Sequence, residues 1–136
     1  MLDASVSLAW CFVYESVDST RALVDTVIRD GAVVPPIWAF EVRNGVLAGC
    51  RRGRLSQDQA SQFIDFVSDL QIELDDISIV QTFVDVIATA ANHGLATYDA
   101  SYLELAMRRQ LPLATLDKRL VQAARQTGIE LALEAI

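Results

Sequence analysis

Short apolar segments alternate with runs whose apolar residues recur at helical spacing, and the alternation continues from one end of the chain to the other. Met1-Leu2 reads as a stub of a strand, followed by a helix over 5–13 on the strength of Leu8, Ala9, Phe12 and Val13. Residues 19–30 carry Leu23, Val24, Val27 and Ile28 on one face and stop at Gly31, which can take the left-handed conformation that ends helices. Ala32-Val33-Val34 reads as a buried strand closed by Pro35-Pro36, with Pro36 suited to the first turn of a helix over 36–52. Ser56 with Gln59 and Ser78 with Gln81 have the spacing of capping boxes. The first opens a helix lined by Ala60, Phe63, Ile64, Val67 and Leu70; the second opens one striped by Val80, Phe83, Val84, Ile87 and Ala91 that ends at Asn92-His93-Gly94. Ile72-Glu73-Leu74, Leu95-Ala96-Thr97, Leu113-Ala114-Thr115 and 129–133 are the remaining strand-like segments. Strands separated by helices require crossover connections, so the sheet is expected to be mostly parallel and covered on both faces: an α/β fold rather than α+β. No repeat, low-complexity tract or linker interrupts the plan, and a single domain over 1–136 is expected.

In open sheets of this kind the site forms beyond the carboxyl ends of the strands. Asp3, Asp99 and Asp117 each follow a strand-like segment and precede a helix-like run. Asp99 opens a stripe with Leu103, Ala106 and Met107, and Asp117 one with Leu120, Val121 and Ala124, so both lean inward. Glu41 lies a turn and a half into the helix over 36–52, whose stripe reads Ile37, Phe40, Glu41, Asn44, Leu47 and Ala48. An aspartate at a helix start is most often a cap worth about 1 kcal/mol, a reading open to Asp99 and Asp117 singly. Glu41 and Asn44 resist it, because a carboxylate and an amide stand where leucine would be expected. Desolvated carboxylates need a cation, hydrogen bonds or an open cleft. Four of them without His or Cys partners suit a hard divalent ion, Mg²⁺ or Mn²⁺. Such an ion commonly serves phosphate chemistry, and phosphodiester hydrolysis follows. His93, the single histidine, sits at a helix C-terminus where imidazole meets the dipole favourably, and a ribonuclease built on a pair of histidines is excluded.

The net charge of −7 and pI near 4.5 argue against a broadly basic nucleic-acid surface. Whole-chain charge does not report local fields, however, and Arg108, Arg109, Lys118 and Arg119 near the two later aspartates are better placed for RNA contact than Arg51, Arg52 and Arg54. A mean hydropathy of +0.30 is rich, and a partner is expected to cover part of the apolar surface. No apolar run approaches the ~18 residues of a membrane span, and no charged leader precedes an apolar block, so a cytoplasmic protein without membrane contact is expected. Cys11 and Cys50 read as small buried hydrophobes, and Trp10 and Trp38 as core or interface rather than base-stacking platforms.

Leu2-Asp3-Ala4-Ser5-Val6, Glu41 with Asn44, Thr97-Tyr98-Asp99-Ala100-Ser101-Tyr102 with its following helix, and Ala114-Thr115 with Asp117 occur in an order that resembles the PIN-domain nucleases, specifically the VapC-type toxins of bacterial toxin-antitoxin pairs. His93-Gly94-Leu95 before the third acid is also similar, and the likeness covers nearly the whole chain. The resemblance implies a three-layer α/β/α sandwich with a mostly parallel central sheet. It implies that Asp3, Glu41, Asp99 and Asp117 bind Mg²⁺, or Mn²⁺, and cut RNA through an activated water. Asp3 and Asp99 would be direct ligands, Glu41 would orient a ligand water or bind a second ion, and Asp117 would complete the cluster. Ser5, Asn44 and Thr115 would hold carboxylates and waters in place. A cognate antitoxin and a homodimer are the implied protein partners, and the face formed by Phe63, Ile64, Phe66 and Val67 with the helix from Pro36 is a candidate to receive one of them. The alternatives are a PIN-type RNA-processing nuclease that is not a toxin and a receiver-like acidic domain. Against the receiver, Asp3-Ala4-Ser5 lacks an adjacent acid pair, and Glu41 and Asn44 would go unexplained.

Overall fold

The computed structural model of the chain describes residues 1–12 and 18–133; Val13, expected in the first helix, lies outside the described residues. Every described strand pairing is parallel. β1 (Ala32–Val34) pairs with β2 (Ile72–Leu74) in the register Ala32 with Ile72, Val33 with Glu73 and Val34 with Leu74. On the opposite edge of β1 the Leu2 N–H donates to the Val33 carbonyl at 3.3 Å, and parallel bridges join Leu2 to Ala114 and Leu113 to Leu131. The lateral order is therefore 72–74, 32–34, 1–3, 113–114 and 131. The segments expected as strands at 113–115 and 129–133 contribute only these single bridges. Leu2, Val34 and Leu113 are fully buried, as the strands of a sheet covered on both faces must be.

Helices flank this sheet in two groups, giving a three-layer α/β/α sandwich. α1 (Ala4–Cys11) packs against α2 (Asp18–Asp30) and α3 (Ile37–Arg51), and α3 against α4 (Gln57–Ser68). In the other group a short turn, α5 (Ile79–Gln81), leads through a π-helical segment (Thr82–Val86) into α6 (Ile87–His93). α6 and α8 (Lys118–Thr127) both pack on α7 (Thr97–Arg109). α7 is the most deeply set helix: Ala100, Tyr102, Leu103, Leu105 and Ala106 are inaccessible to solvent, and each leucine contributes roughly 1.5–3 kcal/mol by its burial. Both capping boxes form, with Ser56 and Ser78 each exchanging hydrogen bonds with the glutamine three residues on. Among the described residues no helix is long and apolar enough to cross a membrane.

Several expectations are corrected. Leu95 and Ala96 are a link between helices, not a strand: Gly94 adopts a left-handed conformation (φ 62°), the Leu95 N–H returns to the Ala90 carbonyl, and Thr97 already belongs to α7. On α3 the inward face is Trp38, Val42, Val46 and Gly49, whereas Phe40 is 75% exposed and Asn44 and Leu47 also look outward. Glycine explains the rotation. A Cβ at Gly45 would stand 2.6 Å from the Leu8 methyls, and one at Gly49 would stand 2.7 Å from the Phe12 ring, so α1 lies against the glycine side of α3. The stripe Val80, Phe83, Val84 and Ile87 is exposed, and Val86 and Thr89 are buried in its place. A π-helical segment holds more residues per turn and re-aims the side chains around it. On α4, Phe63 and Val67 belong to the core and Ile64 is half-buried, so the broad face read there is largely spoken for. Phe66 stands at its edge in an edge-to-face contact with Trp10, 6.5 Å between ring centroids. Trp38 is buried with its Nε1–H donating to Ser7 Oγ, and the Trp10 Nε1–H donates to the Thr20 carbonyl, in keeping with packing roles. Cys11 and Cys50 are only half-buried, not the fully buried positions expected.

Candidate active site

The carboxyl edge of the sheet opens into a cleft of about 380 Å³ lined by Asp3, Ser5, Glu41, Asn44, Asp99 and Asp117, with Leu8 and Gly45 in its wall. Four acids from separate parts of the chain thus share one cavity. Asp3 arrives there because its N–H continues the sheet, donating to the Ala114 carbonyl at 2.9 Å, while α1 begins at the next residue. Its side chain makes no capping bond to α1. Instead Oδ2 accepts from Ser5 Oγ at 2.6 Å and from Thr115 Oγ1 at 2.7 Å. Both hydroxyls are themselves held: Ser5 Oγ accepts from the Leu116 N–H and Thr115 Oγ1 from the Asp117 N–H, each at 3.0 Å. This small lattice points one carboxylate oxygen at the protein and leaves Oδ1 without a hydrogen-bond partner among the described residues.

Asp99 is the third residue of α7 and half-buried, and the start of that helix has no side-chain cap. Asp117 does cap α8: its Oδ1 accepts from the N–H groups of Arg119 at 2.8 Å and Leu120 at 3.1 Å, leaving Oδ2 for the cleft. Glu41 projects from α3, half-buried, and its Oε1 accepts a hydrogen bond from the Tyr102 hydroxyl. Asn44 lines the cleft but hydrogen-bonds none of the acids among the described residues.

The acids perturb one another. Asp3 titrates above the ordinary carboxylate range, first because it is buried, an effect partly offset by the hydroxyls of Ser5 and Thr115 and reinforced by the charges of Asp99 and Asp117. Glu41 is raised by burial, eased by Tyr102, and raised again by Asp3 and Asp99. Asp99 is raised by burial and then by Asp117, with Arg119 opposing. Burial and mutual repulsion make the ionised forms of Asp3, Glu41 and Asp99 costly, and a bound cation would relieve that cost. No group of three or more acidic, His or Cys side chains among the described residues already encloses an ion position. The side chains that the cleft offers are oxygen donors, the ligand type that a hard divalent cation takes.

The basic residues divide. Lys118 and Arg119 open α8 directly beyond Asp117 and are exposed, and the Arg119 charge reaches Asp99. Arg108 and Arg109 end α7, nine and ten residues past Asp99 and so roughly 13–15 Å along the helix. There Arg108 pairs with Glu104 at 2.7 Å and bidentately with Asp75, while Arg109 pairs with Glu73 at 3.0 Å. Asp75 and Glu104 are buried and need those guanidinium groups, so the two arginines serve packing at the far end of α7 rather than the cleft. His93 ends α6, half-buried, and is not among the residues lining the cleft. One residue of the site, Tyr102, lies within a motif read from the sequence but was given no role there. Its signal was its place three residues after Asp99, on the same helix face.

A family profile described as the PIN domain matches residues 1–126. Ribonuclease VapC3 of Pyrobaculum aerophilum is 34% identical over 84 residues, a stretch covering 62% of this chain and 64% of that protein, so the match spans just under two thirds of the relative. Among solved structures, PAE2754 from Pyrobaculum aerophilum superposes with a TM-score of 0.69 at 24% identity, covering 90% of this chain and 83% of that one. FitAcB from Neisseria gonorrhoeae gives 0.62 at 18% identity, covering 96% and 94% respectively. At such identities the two structural likenesses speak to the fold alone.

Proposed function

Because this chain belongs to the PIN domain family, we propose that it is a metal-dependent endoribonuclease acting in the cytoplasm as the toxin of a toxin-antitoxin pair. The observation that carries the proposal is the shared cleft of Asp3, Glu41, Asp99 and Asp117, in which burial and then neighbouring carboxylates raise the pKa of Asp3, Glu41 and Asp99. Similarity to Ribonuclease VapC3 favours RNA as the substrate, and the resemblance of the sequence motifs to VapC-type toxins implies a cognate antitoxin as partner. When bound, Mg²⁺ or Mn²⁺ would neutralise the non-bridging phosphate oxygens and bring a coordinated water to a useful pKa. Asp3 through Oδ1 and Asp99 would hold the ion directly, with the free oxygen of Asp117 and the carboxylate of Glu41 orienting its waters. Ser5 and Thr115 keep Asp3 turned toward the cleft, and Asn44, which lines the same cleft, would hold a water or a substrate group there. Lys118 and Arg119 would take the RNA backbone at the rim.

The exposed apolar face is assigned to self-association. Phe40, Ile79, Val80, Phe83, Val84, Ile87 and Tyr98 are all open to solvent, and α3, the π-helical segment and the start of α7 wall one apolar groove of about 310 Å³ between them. Such a patch is unusual on a monomer. Phe83→Glu is expected to shift the protein from dimer to monomer by light scattering; an unchanged mass would remove this surface from the proposal. The nuclease reading is tested by cleavage of total RNA with Mg²⁺ or Mn²⁺ present. Wild type is expected to cut and Asp99→Asn not to, and equal cleavage by both would refute it.

A further inference from the structure

We propose that Tyr102 is a positioning residue of the acidic cleft, fixing the Glu41 carboxylate and tying together the three elements that bring Asp3, Glu41 and Asp99; this rests on the nuclease reading above. Its side chain is inaccessible to solvent. Its hydroxyl donates to Glu41 Oε1 across sixty-one residues of sequence, from α7 to α3. The backbone N–H of Ala4, the residue after Asp3, faces the same phenol oxygen. Asp99 lies one turn earlier on the helix that carries Tyr102. One buried oxygen therefore sits where the acid-bearing ends of α1, α3 and α7 converge.

Glu41 needs such a tether. Three side-chain torsions separate its carboxylate from α3, and no other hydrogen bond to it is made among the described residues. A bond from a neutral donor to a carboxylate is of the strong, charge-assisted kind, and a rigid two-torsion phenol locked in the core loses little entropy in making it. With Oε1 held, Oε2 is the oxygen left for a ligand water. Tyr102 touches neither substrate nor ion in this arrangement and acts through Glu41. Groups that orient metal-site ligands commonly change affinity by 10–100-fold when removed.

The test is Mn²⁺ affinity, followed by electron paramagnetic resonance on folded protein, for wild type, Tyr102→Phe, Glu41→Gln and the double variant. Phenylalanine keeps the ring and removes the oxygen. Tyr102→Phe is expected to weaken Mn²⁺ about tenfold, and the double variant to bind no more weakly than Glu41→Gln alone, since the phenol acts only through that carboxylate. Wild-type affinity in Tyr102→Phe, or additive losses in the double variant, overturns the proposal while leaving the nuclease reading standing. Unchanged affinity in Glu41→Gln overturns both. A second measurement needs no variant: the Tyr102 hydroxyl proton, shielded from exchange by burial, is expected as a separate NMR resonance that moves on adding Mg²⁺. A resonance that does not move overturns the proposal.

Discussion

Thr115→Val removes one oxygen from the cleft and is expected to report directly on how Asp3 is held. Valine keeps the branched shape at this buried position, so little cavity is created. Two hydrogen bonds disappear: the one from Thr115 Oγ1 to Asp3 Oδ2 at 2.7 Å, and the one that Thr115 Oγ1 accepts from the Asp117 N–H at 3.0 Å. A bond to an ionised acceptor is worth about 1.5–3 kcal/mol net and a neutral one about 1 kcal/mol, and the added methyl returns something near 0.8 kcal/mol. The expected loss is about 2–3 kcal/mol in alkaline solution, where Asp3 is ionised, read from urea unfolding of the metal-free protein. Its pH dependence carries the sharper content. The Thr115 hydroxyl pulls the Asp3 pKa down against the stronger effect of burial, so it stabilises the ionised form. Its loss is therefore felt in full where Asp3 is ionised in the native protein. The difference shrinks as pH falls through the native pKa of Asp3, which lies above the ordinary carboxylate value. A loss under about 0.5 kcal/mol in alkaline solution, or one of equal size in alkaline solution and in mild acid, would refute the reasoning.

Arg108→Met is expected to cost about 3 kcal/mol in urea unfolding, because buried Asp75 and Glu104 lose their main counter-charge, while the folded variant cleaves RNA as wild type does. Lys118→Ala with Arg119→Ala should do the reverse, leaving stability alone and reducing the log–log salt dependence of single-stranded RNA binding by about 1.4. Asp99→Asn should melt at a higher temperature than wild type at pH 7 without metal. Its pKa is raised in the folded state, so the native protein binds protons more readily than the unfolded chain, and wild-type stability falls as pH climbs through the window between the ordinary and the raised value. The advantage should vanish below that window, and differential scanning calorimetry at the two ends checks it.

That four acids meet in one cleft is legible in the sequence. Asp3 and Asp117 are legible because each closes a short apolar segment and precedes a helix, and Glu41 because a carboxylate half-buried along a helix needs a cause. The cap reading of Asp117 proved true of one of its oxygens, which leaves the other available and makes cap and ligand compatible. Other features were invisible for physical reasons. Counting large apolar side chains on α3 selected the wrong face, because the contact with α1 is made at Gly45 and Gly49, where absence of a side chain is what packs. The stripe from Val80 to Ile87 was correctly periodic, but periodicity says that a face is apolar, not that this chain's own core covers it. Arg108 and Arg109 looked close to Asp99 in sequence, yet a helix carries them most of its length away, to acids at Glu73, Asp75 and Glu104 whose burial depends on the tertiary fold.

The central claim is that four separately encoded acids make one cation site. Mn²⁺ binding to the purified protein, measured for wild type and for Asp3→Asn, Glu41→Gln, Asp99→Asn and Asp117→Asn in turn, addresses it most directly. Saturable binding in the wild type with every single substitution weakening it, Asp3→Asn and Asp99→Asn most of all, is the predicted result. Binding that is absent from the wild type, or indifferent to Asp3 and Asp99, would contradict it.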